Sequence, residues 1–400
     1  MIEEQQYADW SLGIHQRLSS KRVPISGTIE LTHRCNNQCV HCYNNLSAGN
    51  QKAGERELTF DEYRRILDEI VDAGCLWLLF TGGEIFIRRD FLEIYTYARQ
   101  KGFLITLFTN GTLISPEIAD RLTQLPPFSI EITIYGHTKE TYESITKIAG
   151  SYERCIHGIK LLKDRRLPLK LKTMAITVNR DEIHDMKQFV EEDLGLEFKF
   201  DPMINPRLDC SQNPLDVRLS PAEVVELDLK YPDRLREWKE FVNRFNYTDI
   251  DPSKAENLYA CGAGNNSFAI DPYGRLSVCI LSAADLYDLR RGRFKEGWSI
   301  ALAAERQRKA SRTTRCTNCR LKSMCGMCPA NSELECSDSE APVDYLCRVA
   351  HLRAYALDLP IAPHGACEYC PGGSRYEEMM ETAEGLKERF AIGASPSANR

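Results

Sequence analysis

Three cysteines lie close together in the segment THRCNNQCVHCYNN, residues 32–45, with the spacing CxxxCxxC: Cys35, Cys39 and Cys42. Structural zinc sites usually have four ligands in paired CxxC knuckles, so this segment fits zinc poorly. A [4Fe–4S] cluster normally takes four thiolates, and a site with three leaves one iron open to an exogenous ligand. The segment therefore predicts an iron–sulfur cluster with an open iron. His41 could replace a ligand, but between two cysteines we expect it to turn outward.

A second group of cysteines begins at residue 261. Two of them flank a segment in which DPYG predicts a turn and a β-hairpin, four lie in CTNCRLKSMCGMC, and one follows later. In chain order these are Cys261, Cys279, Cys316, Cys319, Cys325, Cys328 and Cys347. Metal binding accounts for them better than disulfides, because a chain of this size can fold stably without disulfide crosslinks. A pair of structural zinc sites is the alternative that CxxC pairs alone would allow.

Other cysteines lie outside these two groups. In ACEYC, Cys367 and Cys370 form a separate CxxC that could be a redox pair, part of a metal site or a thiol pair without function. Cys75 and Cys155 adjoin apolar residues. We expect both to be small core residues.

The elements that must position these cysteines form a regular pattern between residues 25 and 205. Short β-like runs alternate with helical segments, and the runs are TIELTH, LWLLFTGG, FLITLFTNG, SIEITIYG, LKLKTMAITVN and LEFKFDP. Helices are expected in LTFDEYRRILDEIVDAG, with a capping box of Thr59 and Glu62, and around residues 90–101, 115–124, 151–164 and 181–194. Repeated β-then-α order predicts parallel strands with helices outside them.

The strand patterns favour an incomplete barrel. In SIEITIY the isoleucines take one face, while Glu131 and Tyr135 take the other. In LKTMAITVN, Thr173 and Thr177 share a small, polar face. A closed barrel fills its interior with branched apolar side chains, whereas polar inner faces predict a lumen with room for ligands. Edge strands with one solvated face are the alternative.

Composition and charge disfavour several classes of protein. The chain has 400 residues, of which 43% are hydrophobic, and a net charge of −6. This charge gives no general electrostatic reason to bind nucleic acid. Neither a signal peptide nor a membrane span is readable in the sequence. We therefore expect a cytoplasmic protein without a nucleic-acid or membrane partner.

Taken together, the motifs resemble the radical S-adenosylmethionine (radical SAM) superfamily. The resemblance rests on CxxxCxxC after the first strand, TGGE after the second, TNGTLI after the third and TIYGHTKETYESITKIAGSYERCIHGIKLL after the fourth, and it covers most of residues 25–350. It implies an α/β fold with a partial (β/α)6 TIM-like barrel. It also implies that S-adenosylmethionine chelates the open iron and is reductively cleaved to methionine and a 5′-deoxyadenosyl radical, which abstracts a substrate hydrogen.

The resemblance also implies a binding site for S-adenosylmethionine. The segment Gly82, Gly83 and Glu84 is implied to meet the methionyl amino group. Two glycines allow the backbone to approach closely, and a carboxylate suits an ammonium. Strand-end positions that resemble adenosine or methionyl contacts are Tyr43, Asn110 and Asn179. No catalytic acid or base is assigned.

The later cysteines resemble a SPASM domain, which holds two auxiliary [4Fe–4S] clusters and would bring the total to three. One cluster is implied to take Cys316, Cys319, Cys325 and Cys347, and the other Cys261, Cys279 and Cys328. The sequence departs from the family in CGMC, where three intervening residues are more usual. The second cluster has only three assigned thiolates, and its fourth ligand is open among Cys210, Cys336, Cys367, Cys370, a non-cysteine group or nothing.

These resemblances divide the chain into an N-terminal extension (1–24), a radical SAM barrel (25–205), a connector (206–255), a SPASM domain (256–350) and a C-terminal tail (351–400). They imply an oxidoreductase that uses an external electron donor and modifies or crosslinks a ribosomal peptide or protein side chain. Only 34 residues precede Cys35, too few for the leader-binding winged-helix domain of many peptide maturases, so a separate recognition protein is expected. The alternative is a small-molecule enzyme of this class, acting on a sugar alcohol, aminoglycoside or tetrapyrrole. A distant alternative is a non-catalytic electron carrier or metal-stabilised scaffold.

Overall fold

The structure is a computed structural model that describes residues 6–18, 21–44, 46–244, 257–259, 261–282, 287–317, 319–363 and 366–390. The chain forms two compact units. The first comprises Met1–Leu208, Asn213–Val217 and Cys261–Gln307. The second comprises Asp209–Gln212, Arg218–Ala260 and Arg308–Arg400. The predicted boundaries between functional domains remain a prediction.

A nine-stranded sheet runs through the first unit. Its strands are β1 (Ser26–Thr32), β4 (Trp77–Gly82), β5 (Leu104–Thr109), β6 (Ser129–Thr133), β7 (Leu169–Met174), β8 (Glu197–Asp201), β9 (Ser267–Ile270), β10 (Arg275–Ser277) and β11 (Tyr287–Asp288). Their order is β11-β10-β9-β1-β4-β5-β6-β7-β8, and β2 (Arg34–Cys35) and β3 (Leu46–Ser47) form a separate pair. The predicted six strands, β1 and β4 to β8, are all present and parallel.

Helices connect the parallel strands. In the first unit they are α1 (Tyr7–Leu18), α2 (Gln51–Arg56), α3 (Phe60–Asp72), α4 (Phe91–Gln100), α5 (Pro116–Gln124), α6 (Lys139–Thr146), α7 (Ser151–Asp164), α8 (Ile183–Gln188), α11 (Phe294–Glu296) and α12 (Leu302–Gln307). In the second unit they are α9 (Pro221–Lys230), α10 (Pro232–Arg244), α13 (Lys322–Cys325), α14 (Pro329–Cys336), α15 (Asp344–Ala356) and α16 (Tyr376–Arg389). The predicted helices are confirmed, including the capping box of α3. Among the described residues, every helix is too short or too polar to traverse a bilayer.

The two faces of the parallel strands differ in polarity. One face is buried and apolar, with Ile29, Phe80, Leu107, Ile132 and Leu171 all at most 1% exposed. The opposite face is more polar and more exposed, since on β6 and β7 it carries glutamate and lysine side chains. Such a face suits a lumen that admits ligands.

The prediction that Thr173 faces the lumen is wrong. The strand β7 ends at Met174, and Thr173 is 1% exposed on the same face as Leu171. Its opposite face carries Lys172, whose ammonium bonds to Glu131. The predicted pattern failed because it ran on into the turn after Met174, where alternation no longer reports a strand face.

The hairpin predicted at DPYG is present. The Asp271 carboxylate accepts hydrogen bonds from the backbone N–H groups of Tyr273 and Arg275, both at 2.9 Å, and Gly274 has a φ of +86°. The hairpin strand β9 also pairs in parallel with β1, at the edge opposite β4. This pairing was not predicted, and it places Cys261 and Cys279 in the same unit as the barrel strands.

Candidate functional site

The three-cysteine loop follows β1, at the edge where the parallel strands have their carboxyl ends. Two backbone N–H groups of the loop, from Gln38 and Val40, donate to the carbonyls of Thr146 and Ile145 at 2.9 and 3.1 Å. These carbonyls belong to the last turn of α6, whose final carbonyl groups have no partner within the helix. The end of α6 therefore fixes the path of the loop.

The three thiols lie close together and are only partly exposed, which is a costly arrangement for anions. Burial raises the pKa of Cys35 to about 12, with a smaller contribution from the Glu84 carboxylate. Burial also raises the pKa of Cys39, followed by repulsion from Cys42 and Cys35, and burial raises the pKa of Cys42. Coordination to iron would remove this penalty, because a metal ion deprotonates a coordinating thiol. The donor set and its burial therefore fit a cluster held by three thiolates.

The Tyr135 side chain lies beside the loop and contacts two of its residues. The Tyr135 hydroxyl, after β6, hydrogen-bonds the Cys39 thiol and lowers its pKa, which opposes the effect of burial. The ring of Tyr135 lies 5.2 Å from that of His41. The expectation that His41 turns outward is wrong: its Nδ1 is buried without a hydrogen-bond partner among the described residues, and burial lowers its pKa to about 4.

The two glycines of TGGE pack against the backbone of the cysteine loop. Gly82 has a φ of +133°, and a Cβ atom there would lie 2.1 Å from the Thr32 carbonyl oxygen. A Cβ atom at Gly83 would lie 2.1 Å from the Arg34 carbonyl oxygen. The Gly83 N–H donates to the Thr32 carbonyl at 2.6 Å, and the Glu84 N–H donates to the Arg34 carbonyl at 2.9 Å. The glycines therefore allow the TGGE backbone to approach the backbone of residues 32–34 closely, and this packing alone requires glycine at both positions.

The Glu84 side chain links the end of β4 to the end of β5. It is fully buried and accepts hydrogen bonds from the Thr109 hydroxyl at 2.8 Å, the Asn110 N–H at 2.7 Å and the Phe86 N–H at 3.2 Å. Burial raises its pKa to about 6, although these hydrogen bonds lower it. The carboxylate is thus held in one orientation.

Asn110 connects this carboxylate to the cysteine loop. Its backbone N–H donates to Glu84, and its side-chain amide nitrogen lies 3.7 Å from the Cys35 sulfur and 3.0 Å from the Asn36 oxygen. The Thr112 hydroxyl donates to its amide oxygen at 2.6 Å, which fixes the side chain. The fold therefore brings Cys35, Glu84 and Asn110 together. Their roles in binding a cluster and S-adenosylmethionine remain predictions.

Two other predicted contact residues are used in hydrogen bonds within the protein. The Tyr43 hydroxyl donates at 2.9 Å to Glu30, which is 2% exposed. The Asn179 amide nitrogen donates at 3.0 Å to the carbonyls of Tyr135 and Met174, and its oxygen accepts from the Ile176 N–H at 2.9 Å. Asn179 therefore joins the ends of β6 and β7 and positions the tyrosine that meets Cys39. A role of either residue in binding S-adenosylmethionine remains a prediction.

The polar face of the sheet holds a lysine that the sequence analysis did not single out. Lys172 bonds to Glu131 at 3.0 Å and lies against the Phe108 ring. Burial lowers its pKa to about 8, although Glu131 raises it. The lysine therefore titrates below its ordinary range. The sequence signal that could have found it is the alternation in LKLK, which sets Lys172 on the polar face, opposite Leu171.

Glu131→Gln should lower the pKa of Lys172 further, because it removes the one charge that stabilises the ammonium form. Since only the neutral amine reacts, the pH midpoint of Lys172 acetylation, measured by peptide mass spectrometry, should move downward. Lys139 serves as an internal control, because its hydrogen bond to Glu153 raises its pKa and that contact is unaltered. An unchanged or higher midpoint for Lys172 would contradict this description of the lumen.

The auxiliary cysteines fall in both units. In the second unit, the Cys347 thiol hydrogen-bonds those of Cys316 and Cys325. The Cys316 contact lowers the pKa of Cys347, whereas the Cys325 contact and burial raise it, and the pKa is about 12. The Cys319 N–H donates to the Cys316 carbonyl at 3.2 Å. The four cysteines implied for the first auxiliary cluster therefore lie close to one another in the second unit. Of the other set, Cys261 and Cys279 belong to the first unit and Cys328 to the second, where it begins α14.

Comparison with known proteins identifies a domain in the first part of the chain. Residues 29–190 match the family model described as the radical SAM superfamily. The chain contains a radical SAM domain. This confirms the resemblance that was drawn from CxxxCxxC and TGGE.

Relatives of the radical SAM domain fall into more than one group. The subtilosin biosynthesis protein AlbA of Bacillus subtilis is 29% identical over 270 residues, 65% of this chain and 55% of AlbA. An AdoMet-dependent heme synthase of Methanosarcina barkeri is 34% identical over 163 residues, 41% of this chain and 46% of that protein. The mycofactocin maturase MftC of Mycobacterium ulcerans is 26% identical over 74% of this chain and 80% of MftC. The chain thus spans about half the length of the first two relatives.

Solved structures share the fold. Streptococcus suis SuiB bound to the precursor peptide SuiA superposes with a TM-score of 0.62, 13% sequence identity and coverage of 87% of this chain and 82% of SuiB. A structure of anSMEcpe with AdoMet and a peptide gives a TM-score of 0.58 at 15% identity, covering 90% of this chain and 99% of that one. These likenesses confirm the predicted fold class.

Proposed function

We propose that this chain is a radical SAM oxidoreductase that modifies or crosslinks a side chain of a ribosomal peptide or protein. The observation that carries the proposal is the meeting of Cys35, Glu84 and Asn110 at the carboxyl edge of the parallel strands. A cluster bound with S-adenosylmethionine would supply a 5′-deoxyadenosyl radical able to abstract hydrogen. A reducing cytoplasm and an external electron donor suit such chemistry.

The chain's own residues would bind and orient the cofactors. Cys35, Cys39 and Cys42 would each hold one iron. The Asn110 amide N–H, 3.7 Å from the Cys35 sulfur, would stabilise that thiolate. The Glu84 carboxylate accepts from three donors, and because a carboxylate has about four lone-pair sites, one site is left for the methionyl ammonium.

Glu84→Ala should weaken binding of S-adenosylmethionine while leaving the iron content unchanged. A buried ammonium would lose a charge-assisted partner worth about 1.5–3 kcal/mol, which corresponds to a dissociation constant raised about 10- to 150-fold. Isothermal titration of anaerobic, cluster-loaded protein measures this. Glu93→Ala, in the first turn of α4, is a control that should bind normally. Unchanged affinity in Glu84→Ala would place the methionyl site elsewhere.

A peptide substrate is supported by the extent of the matches. The alignments with AlbA and MftC cover 65% and 74% of the chain, beyond the radical SAM domain. The alignment with the heme synthase covers 41%, about the length of that domain alone. SuiB, which shares the fold, was crystallised with a precursor peptide. A tetrapyrrole substrate is the second candidate, because the heme synthase has the higher identity.

We further propose three [4Fe–4S] clusters, with the auxiliary pair assigned as the sequence implies. The contacts among Cys316, Cys325 and Cys347 support one of the two sets. If a separate recognition protein is needed, the chain alone should bind its peptide weakly, since a disordered peptide loses conformational entropy on ordering. Adding that partner should restore the affinity, which fluorescence anisotropy of a labelled peptide would measure.

A further inference from the structure

A buried CxxC pair and a histidine lie together in the second unit. His351 belongs to α15, whereas Cys367 and Cys370 belong to the loop before α16. The His351 Nε2 atom lies 3.5 Å from each cysteine sulfur, and the three ligand atoms lie within 4.8 Å of one another. The three side chains are at most 6% exposed. We propose that they bind a single zinc ion.

The two sulfur–nitrogen separations fit ligands around one tetrahedral ion. With Zn–S of about 2.3 Å, Zn–N of about 2.0–2.1 Å and an angle of about 109°, sulfur and nitrogen lie about 3.5–3.6 Å apart. Both Sγ–Nε2 distances are 3.5 Å. Thiolates of a [4Fe–4S] cluster instead bind different irons and diverge around it. The geometry therefore favours a mononuclear site over an auxiliary-cluster role for Cys367 or Cys370.

The histidine tautomer also suits a metal. The His351 Nδ1 atom lies 2.8 Å from the Cys347 carbonyl oxygen, which can only accept, so Nδ1 carries the proton. The Nε2 atom of the neutral ring then has its lone pair directed at the two sulfurs. Metal-bound histidines commonly donate their other N–H to a backbone carbonyl in this way. A single lone pair can accept a good hydrogen bond from only one thiol. A metal ion bound to all three atoms accounts for the equal distances from Nε2 to the two sulfurs.

The loop that carries the cysteines is tightly constrained. The Gly373 N–H donates to the Cys370 carbonyl at 2.8 Å, and a Cβ atom at Gly373 would lie 2.5 Å from the Cys367 carbonyl oxygen. The Tyr355 hydroxyl donates to the Tyr369 carbonyl at 2.7 Å. The loop therefore fixes both sulfurs on one side, as a zinc knuckle requires.

Zinc is the ion that this donor set selects. Thiolate and imidazole ligands in tetrahedral geometry suit zinc, and binding would release the thiol protons to solvent. The described residues supply three ligands. Cys367 and Cys370 also line a cavity of about 260 Å³ with Glu368 and Ser374, and a water molecule or another ligand from this cavity would complete the coordination.

Zinc and iron analysis of the full-length protein, purified without oxygen, tests this proposal. The unmodified protein should contain about one zinc per chain in addition to its iron. The double variant Cys367→Ala/Cys370→Ala should lose the zinc and keep the iron. Cys336→Ala, which changes an exposed cysteine of the same unit, should keep the zinc. X-ray absorption at the zinc edge of the unmodified protein should show two sulfur ligands and at least one nitrogen.

Four outcomes would overturn the proposal. The first two are unmodified protein that lacks zinc after expression with added zinc, and a double variant that keeps its zinc. The third is a zinc absorption spectrum that shows no sulfur ligand. The fourth is a double variant that loses about four irons, as expected if the two cysteines were cluster ligands. The absorption measurement needs no variant, so it decides the matter even if the substitutions prevent folding. None of these readings depends on enzymatic activity, so the zinc site and the proposed function can fail separately.

Discussion

Replacing Cys35, Cys39 and Cys42 together with alanine should abolish cleavage of S-adenosylmethionine and remove about four irons and four sulfides per chain. The reason is that these thiols are the protein ligands proposed for the cluster with the open iron. The unmodified, reconstituted chain should contain about twelve irons, so the variant should keep about eight. Iron and sulfide analysis, together with chromatographic assay of 5′-deoxyadenosine, would measure both effects.

A matched control is available in the same unit. Cys155 is fully buried on α7, and no cluster is assigned to it. Cys155→Ala should therefore keep both the iron and the cleavage activity. If the triple variant kept all its iron, or if zinc rather than iron filled the unmodified protein, the cluster assignment would be wrong.

Glu57→Ala should lower the free energy of unfolding of the first unit by up to about 3–5 kcal/mol, because it removes the carboxylate that Arg34 shares with the buried Arg88, which then keeps Asp90 as its ion-pair partner. The Glu57 carboxylate, 7% exposed, bonds to Arg34 at 2.9 Å and to Arg88 at 3.3 Å, and Arg88 is also 7% exposed. The Thr32 hydroxyl donates to the same carboxylate. These contacts hold the end of β1, directly before Cys35. Urea unfolding followed by circular dichroism would measure the loss.

The effect should be specific to this buried network. Glu153→Ala removes a solvent-exposed ion pair with Lys139 on the same unit and should leave the unfolding midpoint almost unchanged. Glu57→Ala should also reduce the iron retained by the three-cysteine loop, since the loop follows the β1 end. A Glu57→Ala midpoint equal to that of Glu153→Ala would show that the network contributes little.

Much of the barrel could be predicted because its signals are local. Each parallel strand is a short apolar or alternating run between turn residues, and α3 begins at a capping box that Thr59 and Glu62 define. The pairing of β9 with β1 could not be predicted, since it joins segments more than two hundred residues apart without a local signal. Thr173 was misplaced because strand alternation was extended past Met174.

The site was predictable where a motif fixes spacing and unpredictable where contacts depend on side-chain direction. CxxxCxxC and TGGE located the cysteine loop and Glu84. The contact of Tyr135 with Cys39 and the pairing of Lys172 with Glu131 depend on which strands and loops are neighbours, which the sequence does not encode locally. The convergence of His351 with Cys367 and Cys370 joins α15 to a later loop and likewise required the fold.

The central claim, a radical SAM enzyme that acts on a peptide, is tested most directly by one anaerobic reaction. The reduced, cluster-loaded chain is incubated with S-adenosylmethionine, any short peptide encoded beside it and any small partner protein, and the products are analysed by mass spectrometry. We expect 5′-deoxyadenosine and a peptide that has lost two hydrogens or gained a crosslink. Absence of 5′-deoxyadenosine under every condition, or its formation only with a tetrapyrrole or a sugar, would contradict the claim.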